Sequence, residues 1–124
     1  MADTTEKNTA TPDDTIFGKI IRGEIKTEFL YKDDKCVAFK DINPVAPIHI
    51  LIVPIKFITQ ISEAKEEDEK LLGHLLLVAK KVAEDQKLDK GYRLVINNGK
   101  EGQQSVYHLH IHLIGGKQLS WPPC

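Results

Sequence analysis

Three of the chain's five histidines occupy every second position of Tyr107-His108-Leu109-His110-Ile111-His112-Leu113, with apolar or aromatic residues between them. Successive side chains of an extended strand point to opposite faces, so His108, His110 and His112 share one face and Tyr107, Leu109, Ile111 and Leu113 the other. Such a strand offers chemistry on one side and core on the other. Histidine changes charge near neutrality and is the usual side chain for acid-base work and metal binding, so three in strict alternation read as a functional set. His74, alone in a leucine-rich helical run, reads as an ordinary packed or surface residue.

Two chemistries suit the triplet. Zinc needs nitrogens at about 2.0–2.1 Å, and Cα atoms two residues apart on a strand are roughly 6.6 Å from each other. One ion could take two neighbouring rings and His49 as a third ligand, but no nearby Cys or acidic residue completes a set. The alternative is imidazole itself as a nucleophile, which must be neutral to attack. Two imidazolium ions roughly 6.6 Å apart repel by about 2.5 kcal/mol at an effective dielectric near 20, so the triplet does not hold full charge. A phosphoryl group fits this arrangement: one ring attacks phosphorus while neighbouring rings and backbone N–H groups donate to its non-bridging oxygens. His110, in the middle, has a donor on each side.

The elements that must position these rings are legible in the periodicity. Residues 1–12 are polar and read as a disordered tail, and residues 13–124 as a single domain. Ile16, Phe17, Ile20 and Ile21 follow the possible caps Asp14 and Thr15 and precede Gly23, which predicts a short amphipathic helix. Phe29-Leu30-Tyr31 and Cys36-Val37-Ala38-Phe39 flank Lys32-Asp33-Asp34-Lys35 as a hairpin. The two prolines of Asp41-Ile42-Asn43-Pro44-Val45-Ala46-Pro47 make a loop. Ile48 to Val53 is apolar on both faces, as a strand covered on both sides would be. One long helix is expected over about residues 64–87, and the acidic run Glu66 to Glu69 at its start answers the helix dipole. Tyr92 to Asn97 is a further strand, and the polar loop Asn98 to Ser105 leads into the histidine strand. The pattern predicts an α+β domain: an antiparallel sheet of about five strands, with one long and one short helix against one face.

Composition narrows the function classes. Seventeen basic and eighteen acidic residues leave a net charge of -1 without a basic cluster, which argues against nucleic acid as a partner. No segment has the roughly 20 apolar residues of a membrane span, and the first residues lack the apolar core of a signal peptide, so the expected location is cytoplasmic, with the nucleus as an alternative. Cys36 and Cys124 suggest no disulfide framework and are expected to be free thiols.

Tyr107 to Gly116 resembles the signature of the histidine-triad (HIT) superfamily, in which three histidines alternate with hydrophobic residues. Gly115-Gly116-Lys117-Gln118 followed by Trp121-Pro122-Pro123 resembles its Hint branch, the purine nucleoside phosphoramidases. Ile16-Phe17-Gly18-Lys19-Ile20-Ile21, Phe39-Lys40-Asp41-Ile42, Ala46-Pro47-Ile48-His49 and Leu71-Leu72-Gly73-His74 match as well, so the resemblance spans about residues 15–121. It implies a HIT-like fold and hydrolysis of the P–N bond of adenosine 5′-phosphoramidates, such as AMP-lysine or AMP-amines, through a nucleotidylated His110. It further implies that His112 donates to a phosphate oxygen, and that His108 and His49 hold the His110 ring through a polar relay. Ser105 would contact the bridging position, Asn97, Gln104 and Ser105 the phosphate, and Asp41 the ribose hydroxyls. Ile16, Phe17, Ile20, Phe39 and Ile42 would form the purine slot, although isoleucine and phenylalanine are also ordinary core residues. Without the resemblance, Asp41 before a proline-containing loop reads as a turn residue.

The resemblance implies no metal or cofactor, and it implies a homodimer with Trp121 near the partner chain's site. Lys40, Gln103 and Cys124 depart from its pattern, standing where histidine, glycine and glycine are common. Two rivals share the residues: a nucleotide-binding signalling or scaffold protein with incidental catalysis, and a metal-dependent hydrolase.

Overall fold

The computed structural model describes Thr11 and residues 15–124. The expected tail, apart from Thr11, and the possible cap Asp14 lie outside the described residues. Helix α1 (Ile16–Ile21) starts where Thr15 Oγ1 accepts the Gly18 N–H at 3.0 Å and stops at Gly23, whose φ of 82° suits a residue without Cβ. Strands β1 (Tyr31–Lys32) and β2 (Cys36–Lys40) form the expected hairpin. Its turn is closed by Asp33 Oδ1, which accepts the Lys35 and Cys36 N–H groups at 2.7 and 2.8 Å. Strands β3 (Ile48–Pro54), β4 (Tyr92–Val95) and β5 (Ile111–Gly115) complete a five-stranded antiparallel sheet in the order β1-β2-β3-β5-β4.

The pleat divides the central strands between two cores. Cys36, Ala38, Ile50, Ile52, Ile111 and Leu113 face the larger one, where helix α2 (Glu69–Asp85) buries Leu75, Val78, Ala79, Val82 and Ala83. Val37, Phe39, Leu51 and Val53 face the smaller one with Phe17 and Ile20 of α1. The helices therefore cover opposite faces, not the single face expected from the element count. A strand such as β3, apolar on both sides, needs cover on both.

Element ends also differ from the sequence expectation. Before α2 the chain forms two 3-10 turns, Ile61–Glu63 and Glu66–Asp68; in the second the buried Asp68 carboxylate accepts the Lys65 N–H at 2.9 Å and pairs with Lys56 at 2.6 Å. The far end of α2 closes with Lys87 N–H on Glu84 O and Leu88 N–H on Ala83 O, with Lys87 at φ 60°. Strand β4 is shorter than the Tyr92–Asn97 run. The strand expected from Tyr107 is regular only from Ile111, since the Leu109 N–H leaves the ladder for Ile58 O at 2.7 Å. Cys36 and Cys124 are free thiols. No helix among the described residues is long and apolar enough to cross a membrane.

Candidate active site

His112 projects from β5 on the face of the sheet that carries Leu51 of β3, its register partner. His49 stands two positions back along β3, diagonally opposite, and the two rings meet with Nε2 of His49 2.9 Å from Nδ1 of His112. Asp41 follows the end of β2. Its backbone N–H donates to His49 O at 3.0 Å, which brings its carboxylate to 3.4 Å from His49 Nε2. His110 lies one step before β5, its ring centroid 4.9 Å from that of His112 and 4.9 Å from Phe17.

Hydrogen-bond partners settle which nitrogen of each ring carries the proton. The Val45 N–H donates to His49 Nδ1 at 3.1 Å, so the His49 proton sits on Nε2 and is donated to His112 Nδ1. That leaves the His112 proton on Nε2. His110 Nδ1 is 2.7 Å from the His108 carbonyl oxygen, which can only accept, so Nδ1 carries the hydrogen and Nε2 the lone pair. Among the described residues that Nε2 has no partner and is not sealed from solvent. The result is a lone pair on His110 beside an N–H on His112, an attacking group next to a donor.

The same burial keeps the rings uncharged. His110 is 4% exposed, and desolvation pulls its pKa below the ordinary imidazole value. His112 falls to about 4, through burial first and then through its neighbours His110 and His49. Repulsion between rings, the cause expected from strand spacing, is secondary to desolvation.

His108 departs from the relay that the resemblance implies. Its ring is 1% exposed, donates from Nε2 to Pro54 O at 2.8 Å, and packs edge-on against Phe57 with centroids 5.3 Å apart. Its Nδ1 is buried without a partner. The backbone carbonyl of His108, not its imidazole, orients His110, and His49 orients His112, not His110. Phe57, Pro54 O and the Val45 N–H are contributors that the sequence does not signal, because two act through the main chain and the third follows a strand whose own pattern ends before it.

The loop before the triplet is held by its polar side chains. Asn97 donates to Gly102 O at 2.6 Å, and buried Gln104 accepts the Gly99 N–H at 3.0 Å while donating to Thr59 O at 2.8 Å and Val106 O at 3.0 Å. Gln104 thus shapes the loop, and exposed Ser105 follows it. Gln103 has φ 62°, a left-handed conformation that favours glycine. Asp41 is both the turn residue and a neighbour of the site, since its Oδ1 accepts the Asn43 N–H at 2.9 Å. Of the apolar slot residues, Phe17, Ile20 and Phe39 are buried in the smaller core, whereas Ile16 and Ile42 stay exposed.

Asp41, His49 and His112 bring three ligand atoms within 4.8 Å of one another, so the acid missing from the sequence reading of a zinc set comes from just past the end of β2, beside the start of β3. An ion there would have to replace the hydrogen bond between His49 and His112.

The HIT domain family model matches residues 22–119. An uncharacterized HIT-like protein of Synechococcus elongatus is 56% identical over 111 residues, which span 90% of this chain and 97% of its own length. The HIT family hydrolase of Legionella pneumophila superposes with a TM-score of 0.86 at 45% identity, covering 89% of this chain and 99% of that one. A histidine triad nucleotide-binding protein of Candida albicans gives 0.75 at 34% identity over 87% of this chain and 82% of that one.

Proposed function

The chain belongs to the HIT domain family, and from that premise we propose that it is a hydrolase of the Hint branch, cleaving the P–N bond of adenosine 5′-phosphoramidates such as AMP-lysine or AMP-amines. The observation that carries this reading is the hydrogen bond from His110 Nδ1 to His108 O, which leaves a neutral, oriented Nε2 lone pair. That lone pair attacks the α-phosphorus as the P–N bond breaks, and the departing amine takes a proton from solvent beside Ser105. His112 Nε2–H donates to a non-bridging oxygen. The nucleotidylated ring is cationic, and its Nδ1–H bond to the His108 carbonyl stabilises that charge. Water then displaces His110, releasing AMP and one proton. Asp41 receives the ribose hydroxyls, and Ile16 and Ile42 with Phe17, Ile20 and Phe39 hold the purine. Asn97 and the Gln104-Ser105 backbone contact phosphate.

Mass spectrometry of protein quenched during turnover tests this reading: the expected product is an AMP adduct on His110, and an adduct elsewhere, or none under saturating substrate, overturns it. Turnover is expected to survive a chelator. Loss with recovery on adding zinc supports the metal-dependent hydrolase, with Asp41, His49 and His112 as ligands.

A second reading, a nucleotide-binding signalling or scaffold protein, draws support from the name of the Candida albicans relative. It expects slow turnover, tight AMP binding and a stoichiometric protein partner. The proposal includes a cytoplasmic homodimer. β4 is an edge strand, and Leu76, Leu77, Tyr92 and Ile96 are exposed near that edge or on α2. Leu76 and Ile96 also line an apolar cavity of about 220 Å³, a surface that a second copy would cover. Trp121, 80% exposed, is placed in this reading near the partner's site. Light scattering that returned a monomer mass would remove that part.

A further inference from the structure

At the other end of β2, on the face turned away from the triad, the hairpin turn and the long helix bring together a second set of side chains with metal-ligating chemistry. Asp33 and Cys36 are three residues apart, the interval by which a Cys-x-x-Cys turn delivers two ligands to one ion. His74, from α2, reaches Asp33 with Nε2 2.6 Å from Oδ2. One oxygen, nitrogen or sulfur atom from each of the three residues lies within 4.8 Å of the others. We propose that Asp33, Cys36 and His74 form a zinc site, with water as the fourth ligand.

The turn is already shaped for this. The Lys35 and Cys36 N–H groups hold Asp33 Oδ1, so Oδ2 is left for His74, as outer hydrogen bonds orient the ligands of metal sites. Tyr31 O–H donates to the same Oδ2 at 2.8 Å and uses one of its lone pairs, and an ion would replace the His74 hydrogen bond on the other. Cys36 is fully buried at the floor, whereas the Asp33 and His74 side chains are 22% and 32% exposed, which leaves an entry from solvent.

The mixed sulfur, nitrogen and oxygen set suits zinc better than magnesium or calcium, which take oxygen alone. In the metal-free protein the Cys36 thiol is pushed up to about 12, by burial first and then by the Asp33 charge. A divalent ion between them reverses the second effect. Binding breaks the S–H bond, forms the zinc–sulfur bond and releases one proton to solvent, and His74 moves its own proton to Nδ1 as Nε2 takes the metal. With no ion, the same residues are a clip that ties the hairpin to α2.

Cobalt(II) titration of the full chain separates the two. The expected result is a thiolate-to-cobalt charge-transfer band that saturates at one equivalent, vanishes when zinc is added, and is accompanied by release of about one proton per ion at neutral pH. Cys36→Ser and His74→Ala are each expected to abolish the band; His74 is partly exposed, so its variant stays informative if the buried Cys36 variant folds poorly. Cys124→Ser and His49→Ala are expected to retain it, excluding the terminal thiol and the triad cluster. A wild-type chain without the band, a band that survives His74→Ala, or one lost in Cys124→Ser overturns the proposal.

Discussion

Two histidine–aspartate pairs flank β2, and they differ in what their partners do. At one end Asp41 lies 3.4 Å from His49, and the proton order runs outward from the Val45 N–H through His49 to His112. At the other end Asp33 binds His74 at 2.6 Å and gathers Tyr31 and two backbone N–H groups onto one carboxylate. The first arrangement leaves His110 Nε2 and His112 Nε2 without a partner among the described residues. The second closes on itself. The same residue types thus give a reactive cluster or a structural clip, according to whether the hydrogen bonds end on the protein or point away from it.

The largest expected break of this contrast is His110→Ala. It is expected to lower hydrolysis of an adenosine phosphoramidate on the order of 10⁴-fold or more while AMP binding, followed by calorimetry, persists. His49→Phe keeps a ring but removes the donor to His112 Nδ1, so kcat is expected to fall on the order of 10²-fold with KM little changed. Neither His74→Ala nor Asp33→Asn is expected to alter steady-state turnover. If either silenced the enzyme, the division between the two ends would fail.

Acid-base behaviour sharpens the same comparison. Burial lowers the pKa of His110 and brings His112 to about 4, so the acid limb of kcat/KM is expected below the ordinary imidazole range near 6.5. Phe17→Ala opens the ring of His110 to water, and that limb is expected to move to higher pH. At the clip the pKa is again lowered, but there the charged form is the one favoured. Asp33 is held well below the usual carboxylate range; burial opposes this, and is outweighed by the Lys35 and Cys36 N–H groups, Tyr31 O–H and His74. A depressed folded pKa contributes stability above the unfolded value of about 3.9, and that contribution is lost as pH falls towards the folded one.

Asp33→Asn keeps the turn acceptor but loses the Oδ2 partners. It is expected to destabilise the protein by roughly 1–2 kcal/mol in urea at pH 7, with the difference shrinking in acid. The smallest effect is expected from Gln103→Gly, which relieves a left-handed residue and should stabilise by about 1 kcal/mol.

Local rules carried much of the fold. Thr15 and Gly23 bound α1 as their chemistry requires, and the apolar repeat from Leu71 to Val82 forms the core-facing stripe of α2. The side of the sheet each helix covers was not legible, because both faces of β3 are apolar and periodicity carries no sign. Nor was the start of β5, since the Leu109 N–H is claimed by Ile58, a residue 51 positions away.

The site divides in the same way. Alternation marked His108, His110 and His112 because the period of a strand is local. His108 nevertheless serves through its carbonyl; Asp41 was tied to the triplet only by resemblance, and His49 otherwise only as a third ligand for an ion.

The sequence by itself therefore determined which side chains share a face and which segments can be strands or helices, since both follow from bonds between near neighbours. Tertiary structure alone decided which ring nitrogen keeps a lone pair, which rings stay neutral, and which aspartate meets which histidine. Those properties depend on hydrogen-bond direction and on water excluded by residues distant in the chain.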